Sequence, residues 1–365
     1  MIYKMIHGFK GLKIIPEVKN INFWNNYIIK SGSTLIEEKI GYLLDRENEI
    51  QDSTDYNFSI MIGQLNFKTL INNICLVKDL ETEKSYDLDS ELEYDSRLIQ
   101  LFLFCTWLIK DNAINLSHSY LYSNEEELLL TNVKAINFTT SRSSSNTTHF
   151  SQIELKQAVE FFYKYILNES PRNARLRSEI ENGMDPFGIL KELLQPNPTT
   201  PPIVGQIINT EQTSKVFHYY TFDPYNNYDR ITRSIQFIAF ARSQSEPTLK
   251  IVFYILFLEI LLSRSNNKIS ENLKTRTALL ISKSQRENSW VIERVKSAYG
   301  IRSKYVHGSK MSFRDNQVDF IIQLSADIDC ICRSLFLCIK ENYSEILNLE
   351  SENEITIYID GLKSI

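Results

Sequence analysis

The spacing of apolar positions changes near the middle of the chain. In the first 150 residues, short runs rich in β-branched and aromatic residues alternate with Asn, Asp, Ser and Gly, a pattern typical of strands. We predict strands at 58–62, 70–77 and 132–138. From about residue 228, apolar residues recur every three to four positions, which is typical of amphipathic helices. The sequence therefore predicts an α+β protein: a strand-containing mixed N-terminal domain followed by an all-α bundle.

Two helices are predicted within the N-terminal domain, which we assign to residues 1–195. Residues 97–110 are apolar on nearly every face, which indicates a buried helix, and residues 152–167 are amphipathic. Between them, residues 139–148 are almost entirely Ser, Thr and Asn and indicate an exposed loop. No motif identifies the role of this domain, so a sensor or a regulator is the expectation.

The C-terminal helical domain is assigned to residues 225–350. Its central helix contains a single acidic residue, Glu259, which needs a partner if it is buried. The tail at 351–365 includes the alternating residues 355–359, which predict a strand or an extended tail. The predicted helices are 229–242, 248–263, 269–282, 289–299 and 316–342.

The stretch between these domains is rich in proline. Four prolines lie between residues 196 and 202, and proline cannot continue a helix or a central strand. Residues 196–224 are therefore the predicted linker. Just before it, Arg172, Arg175 and Arg177 could contact RNA phosphates, although a solvated loop is the commoner role for such a stretch.

Charge is distributed unevenly along the chain. The 365 residues carry a net charge of -5, yet residues 264–314 contain 12 basic and 3 acidic residues, a net +9. A basic window of this kind suits a polyanionic ligand. The alternative is a set of solvated helix faces.

The sequence also bears on the compartment. The five cysteines show no CxxC pairing, which favours free thiols in a reducing compartment. Residues 1–13 do not resemble a signal peptide. The apolar run 251–262 is too short to span a bilayer. We expect a cytoplasmic protein without a membrane partner.

Two glycines, Gly300 and Gly308, bracket the most informative segment of the basic window. Glycine is a poor helix-interior residue and common just past a helix end, so a short turn or helical piece between two longer helices is predicted here. Arg302 and His307 lie five positions apart within it. In a regular helix they would point roughly 140° apart. They could meet one phosphate only if the chain bends or a second copy of the segment faces the first.

The string Tyr299-x-x-Arg302-Ser303-Lys304-x-Val306-His307-Gly308 resembles the Arg-x4–6-His signature of HEPN domains, and most closely their ApeA-like branch. The resemblance covers residues 225–345. It implies an all-helical, often dimeric domain with metal-independent endoribonuclease activity and no cofactor. It further implies a role in phage defence or a toxin-like stress response, with RNA as substrate and a phage or host protein as a trigger.

The expected chemistry uses the RNA 2′-hydroxyl as nucleophile. Histidine suits proton transfer near neutrality, and arginine suits the developing phosphoryl charge. The expected products are a 2′,3′-cyclic phosphate and a 5′-hydroxyl. The candidate residues have three roles: catalytic Arg302, His307 and Ser303; supporting Glu259, Lys304 and Tyr305; RNA-binding Arg276, Arg294 and Lys310.

Each role has a structural alternative. A histidine before a glycine is often a helix C-terminal group, Arg302 could form a salt bridge with Glu259, and Tyr305 could be a packing residue. The alternative function is a non-catalytic HEPN module that dimerises and binds RNA or a nucleotide. A nucleotide hydrolase is set aside because no GxxxxGK[ST] loop is present.

Overall fold

The chain is an α+β protein with an antiparallel sheet in its N-terminal half and helices in its C-terminal half. The structure is a computed structural model, and it describes residues 2–15, 20–23, 26–37, 58–81, 88–123, 128–133, 137–167, 230–264 and 268–362. The predicted linker 196–224 and the three arginines Arg172, Arg175 and Arg177 lie outside the described residues.

Six strands form the main sheet in the order β3-β4-β5-β1-β6-β7, and every pair is antiparallel. A separate parallel pair joins β2 and β8. The strands are β1 Ile2–Lys10, β2 Leu12–Ile14, β3 Asn20–Asn22, β4 Ile28–Ser31, β5 Ile74–Glu81, β6 Asn115–Ser123, β7 Leu128–Val133 and β8 Thr148–Phe150.

Alternation along β1 assigns its side chains to two layers. Tyr3, Met5 and Phe9 join a large core beneath the long helix α4, and Ile6 joins a smaller cluster on the other face. The sheet is therefore covered on both faces. The helices of this half are α1 Thr34–Glu37, α2 Phe58–Ile62, α3 Gln64–Ile71, α4 Leu88–Ile109 and α5 Gln152–Phe161, which continues as a π-helix over Phe162–Leu167.

Some of the predicted N-terminal elements are confirmed and others are wrong or displaced. Helices at 97–110 and 152–167 are confirmed, although α4 begins nine residues earlier than predicted. The strand at 58–62 is wrong, because this segment is the helix Phe58–Ile62. The strand at 70–77 is displaced to Ile74–Glu81, and the strand at 132–138 to Leu128–Val133. In each case a short apolar run could not distinguish strand from helix or fix the boundary.

The described part of the C-terminal half contains six α-helices. The central one, α7, is apolar around most of its circumference and begins with Pro247, a residue that suits the first turn because its missing N–H would be unpaired there. The helices are α6 Arg230–Ser243, α7 Pro247–Leu262, α8 Ile269–Ile281, α9 Gln285–Val306, α10 Val318–Asn342 and α11 Glu352–Leu362.

Two C-terminal predictions are wrong. The strand predicted at 355–359 is part of α11, which buries Ile355 and Ile359 on one helical face. The helix predicted at 289–299 does not end before Gly300: it and the segment predicted as a short turn or helical piece form one helix, α9, which runs without interruption to Val306.

The two halves share one hydrophobic core rather than two separate ones. Trp107 of α4 donates its indole N–H to the buried carboxylate of Asp329 on α10, at 2.7 Å, and Tyr254 of α7 donates to the same oxygen at 2.9 Å. Arg242 of α6 donates to the carbonyl of Leu103 on α4 at 3.0 Å. The helical half is thus fixed to the sheet half by buried polar groups as well as by apolar contact.

Two further predictions concern the thiols and the membrane. The five cysteines are free: Cys75, Cys105 and Cys332 are buried, Cys338 is half-buried, and Cys330 is exposed. Within the described ranges, no helix combines the length and the apolar character needed to cross a membrane.

Candidate active site

The Arg/His segment forms the last two turns of α9. Gly300 lies in the helix interior, and His307 is the residue that ends the helix. Gly308 follows with φ +66°, a left-handed conformation that glycine adopts without the strain a side chain would add. Glycine is therefore required at one end of the segment and not at the other.

Backbone hydrogen bonds close the end of α9. The N–H of Ser309 donates to the carbonyl of Lys304 at 2.8 Å, and the N–H of Gly308 donates to that of Tyr305 at 3.4 Å. This pair of bonds is the Schellman arrangement, which satisfies carbonyls that a helix end leaves open. It fixes the backbone of His307, whose side chain is exposed.

Arg302 points toward the helical core. Its Nη2 donates to Oε2 of Glu259 on α7 at 3.1 Å, and both side chains are less than one-fifth exposed. The guanidinium carbon lies 5.7 Å from the ring centroid of Tyr299, within cation–π range. The salt bridge that the sequence suggested for Arg302 is confirmed.

The carboxylate of Glu259 is incompletely paired. Its second oxygen, Oε1, is buried and has no hydrogen-bond partner in the described part of the chain. Burial raises the pKa of Glu259 above its ordinary value, while the positive charge of Arg302 opposes that rise. The charge of Arg302 therefore offsets part of the effect of burial on this carboxyl.

A second ion pair holds the connection between α9 and α10. Nζ of Lys304 lies 2.6 Å from Oδ2 of Asp315, in the short 3-10 turn before α10. The hydrogen bond from Lys304, together with bonds from Ser312, lowers the pKa of Asp315. The supporting residue Lys304 thus fixes the loop that follows His307.

A single chain does not bring Arg302 and His307 together. Because α9 stays helical to Val306, Arg302 contacts α7 while His307 lies exposed at the helix end. Of the two routes by which they could meet one phosphate, a bend in the chain is ruled out for this conformation. A second copy of the chain is the remaining route.

The three candidate RNA-binding residues differ in accessibility. Arg276 is buried and donates to the carbonyl of Leu262 at 2.6 Å, and it also pairs with Glu352 at 2.6 Å, so it is a structural residue. Arg294 is paired with Asp327 at 2.8 Å. Lys310 is exposed in the loop beyond His307. Lys310 is therefore the most accessible of the three.

Three large apolar side chains near His307 in the sequence are exposed. Tyr305 is 42% exposed, Val306 54% and Phe313 86%. Ser303 is half-buried, and its carbonyl accepts the N–H of His307 at 3.0 Å. The auxiliary residues Ser303 and Tyr305 therefore lie on the same short stretch as His307, but Tyr305 is not packed into the core.

The sequence analysis did not identify Asp315 and Phe313 as residues of the candidate site. Their positions depend on the path of the loop after α9, which a pattern of apolar residues does not determine. One local signal was present: Ser312 accepts the N–H of Asp315 at 3.1 Å, in the Ser-x-x-Asp spacing common at helix starts.

The described residues contain no group of three His, Cys, Asp or Glu side chains placed to share a metal ion. Of the remaining histidines in the described ranges, His149 is exposed and His118 half-buried. His7 is wholly buried, with Nε2 2.8 Å from the hydroxyl of Tyr27 and Nδ1 2.7 Å from that of Ser119. His307 is therefore the exposed histidine of the helical half.

Comparison with known proteins gives no independent support for a family assignment. No protein-family model, no curated protein and no solved structure matches the chain.

Proposed function

We propose that the protein is an endoribonuclease of the HEPN type that cleaves RNA without a metal ion, by attack of the RNA 2′-hydroxyl. The proposal rests on the resemblance of the Arg302-to-Gly308 string to that family. One observation carries it further: an exposed histidine on a rigidly closed helix end, one turn beyond an arginine held by Glu259.

In this proposal His307 moves the proton, and Arg302 stabilises the phosphoryl charge. A guanidinium held by one carboxylate oxygen still has donors to offer a phosphate. Ser303 and Tyr305 are auxiliary hydrogen-bond donors, and Lys310 contacts the RNA backbone. Glu259 and Lys304 support the site through Arg302 and Asp315 respectively.

The proposal includes a homodimer. A single exposed histidine supplies one proton carrier, whereas cleavage needs both a base and an acid. A second copy would contribute the other histidine and bring Arg302 of one chain toward His307 of its partner. A role in phage defence or a toxin-like response, triggered through the N-terminal half, belongs to the same proposal.

The test is cleavage of labelled single-stranded RNA in the presence of EDTA. We expect the wild type to leave 2′,3′-cyclic phosphate ends and His307→Ala to leave the RNA intact. His149→Ala is the matched control, because it removes an exposed histidine from the N-terminal half. Equal cleavage by the wild type and His307→Ala would overturn the assignment.

The second candidate function is a non-catalytic RNA- or nucleotide-binding module. The observation that favours it is the engagement of Arg302 with Glu259, which a purely structural residue would also show. RNA binding by the wild type without cleavage, unchanged in His307→Ala, would support this second function.

A further inference from the structure

The loop between α9 and α10 presents an aromatic ring to solvent. Phe313 is 86% exposed, the most exposed of the large hydrophobic side chains in the described residues. It does not belong to either hydrophobic cluster or pack against one. A single exposed apolar residue is common, but Tyr305 and Val306 at the end of α9 are exposed as well, and several exposed apolar side chains on neighbouring segments are typical of a binding surface.

The backbone around Phe313 is held in place. The N–H of Asn316 donates to the carbonyl of Ser312 at 3.0 Å, and Asp315 is bonded to Ser312 and paired with Lys304. These bonds close the turn on both sides of Phe313. The ring is therefore presented on a fixed turn, which lowers the entropy lost when a ligand stacks on it.

The same contacts tie the turn that carries Phe313 to the end of α9. Lys304 lies one helical turn before His307, and its ammonium contacts Asp315, two residues after Phe313. Phe313 and His307 thus each lie within three residues of this ion pair. Tyr305, 42% exposed, adds a second aromatic side chain to this surface.

Charge indicates what covers the ring. Residues 299–314 contain four basic residues and no acidic residue. Of these, Arg302 and Lys304 are paired with Glu259 and Asp315, while Lys310 is exposed to an anionic ligand. A strand of nucleic acid supplies phosphates for the basic residues and bases for the rings.

We propose that Phe313, assisted by Tyr305, is a base-stacking site for single-stranded RNA, with Lys310 contacting the adjacent phosphate. This inference rests on the proposed function and specifies its substrate: an unpaired strand with at least one base free to stack beside the phosphate at His307. A base in a duplex is already stacked on both faces and is excluded.

The test measures binding of the full chain to a short 2′-O-methyl strand that carries one 2-aminopurine, so that the strand cannot be cleaved. We expect Phe313→Ala and Phe313→Leu to weaken binding about 5- to 100-fold, while Phe313→Trp retains it. Trp290→Ala is the control. Trp290 is 37% exposed on α9 and lies about 25 Å along the helix from the end that carries His307. An abasic nucleotide in place of 2-aminopurine removes the difference between the wild type and Phe313→Ala.

Two results would overturn the proposal. Binding by Phe313→Ala equal to that of the wild type, or no binding by either, would exclude a stacking site. A change from dimer to monomer in Phe313→Ala by sedimentation, with binding per chain unchanged, would assign the ring to contact with a second copy. If His307→Ala abolishes cleavage while Phe313→Ala binds normally, the proposed nuclease function stands and only the stacking site is excluded. The failure of one proposal can therefore be distinguished from the failure of the other.

Discussion

Arg302 and Glu259 join the last turns of two helices through one hydrogen bond, 3.1 Å from Nη2 to Oε2. The pair connects α9, which carries the candidate catalytic residues, to the buried helix α7. Both side chains are mostly removed from water, so neither charge is compensated by solvent. The position of Arg302 therefore depends on Glu259, and the protonation of Glu259 depends on Arg302.

We predict that Arg302→Met destabilises the protein in a pH-dependent way. Burial raises the pKa of Glu259, so this carboxyl holds a proton more tightly in the folded state than in the unfolded state, and its contribution to the free energy of unfolding falls as pH rises above 4.5. Removing Arg302 raises this pKa further and steepens the fall. We expect a loss of about 1–3 kcal/mol at pH 7.5, and a smaller loss near pH 4, measured by urea unfolding.

The control is the double variant Arg302→Met/Glu259→Gln, in which no titrating carboxyl remains at this position. The free energy of unfolding of the double variant should not show the steeper fall with pH that we expect for Arg302→Met. If the single and double variants depend on pH alike, the coupling between Arg302 and Glu259 is absent.

Gly308→Ala and Gly300→Ala are predicted to act in opposite directions. At Gly308 the φ of +66° strains any other residue, so the alanine should lower the free energy of unfolding by about 1 kcal/mol. At Gly300, in the helix interior with open space where a Cβ would lie, alanine should raise it by about 0.5–1 kcal/mol. Thermal or urea unfolding measures both.

The same pair of variants also tests the site. If the closed end of α9 positions His307, Gly308→Ala should reduce RNA cleavage while Gly300→Ala leaves it near the wild-type rate. Reduced cleavage in both variants would indicate that α9 as a whole, rather than its end, controls activity.

The sequence predicted Gly308 correctly and Gly300 wrongly, for a physical reason. Glycine weakens a helix interior by about 1 kcal/mol, a penalty that packing readily outweighs. Val295, Ala298 and Ile301 are buried at helical spacing on both sides of Gly300. The apolar spacing continued through the glycine, and that continuity was the stronger signal.

In the C-terminal helix α11, by contrast, the apolar spacing itself was misleading. Ile355, Ile357 and Ile359 alternate as in a strand, but in α11 the first and last are buried and Ile357 is 64% exposed. Three positions fit both periods equally well. The distinguishing signal was Ser351 followed by Glu354, which form reciprocal hydrogen bonds at the helix start.

At the candidate site, the sequence offered the pair of Arg302 with Glu259 as the structural alternative to a catalytic Arg302, because an acid in an apolar helix needs a partner. It did not predict that Arg276 is buried, since a basic residue on a half-exposed helix has the same pattern whether it faces water or a neighbouring helix. The contact of Lys304 with Asp315, which ties the turn of Phe313 to the end of α9, could not be derived from spacing.

His7 is predicted to make stability depend on pH in acid. Burial and the charge of Lys78 lower its pKa from 6.5 to about 3, and its neighbours Tyr27, Asp95 and Glu91 belong to the same buried cluster. Between pH 3 and 6.5 the unfolded chain binds a proton that the folded chain does not. The contribution of His7 to the free energy of unfolding should therefore rise with pH across this window, by at most about 1.4 kcal/mol per unit.

The variant His7→Gln isolates this effect, because glutamine can offer a donor and an acceptor but does not titrate. Its unfolding free energy should rise less steeply between pH 3 and 6.5 than that of the wild type, and His149→Gln should match the wild type. Parallel pH profiles for all three proteins would show that His7 takes up no proton on unfolding.

The last prediction concerns the independence of the helical half. Phe104 of α4 packs against Phe336 of α10 with ring centroids 5.0 Å apart, and Trp107 donates to Asp329. A fragment of residues 230–365 would expose this surface and leave the carboxylate of Asp329 with fewer partners. We expect the fragment alone to lack a cooperative urea transition and near-ultraviolet circular dichroism. Co-expression with residues 1–167 should restore both, whereas a monomeric fragment that unfolds cooperatively by itself would show that the helices form a separate domain.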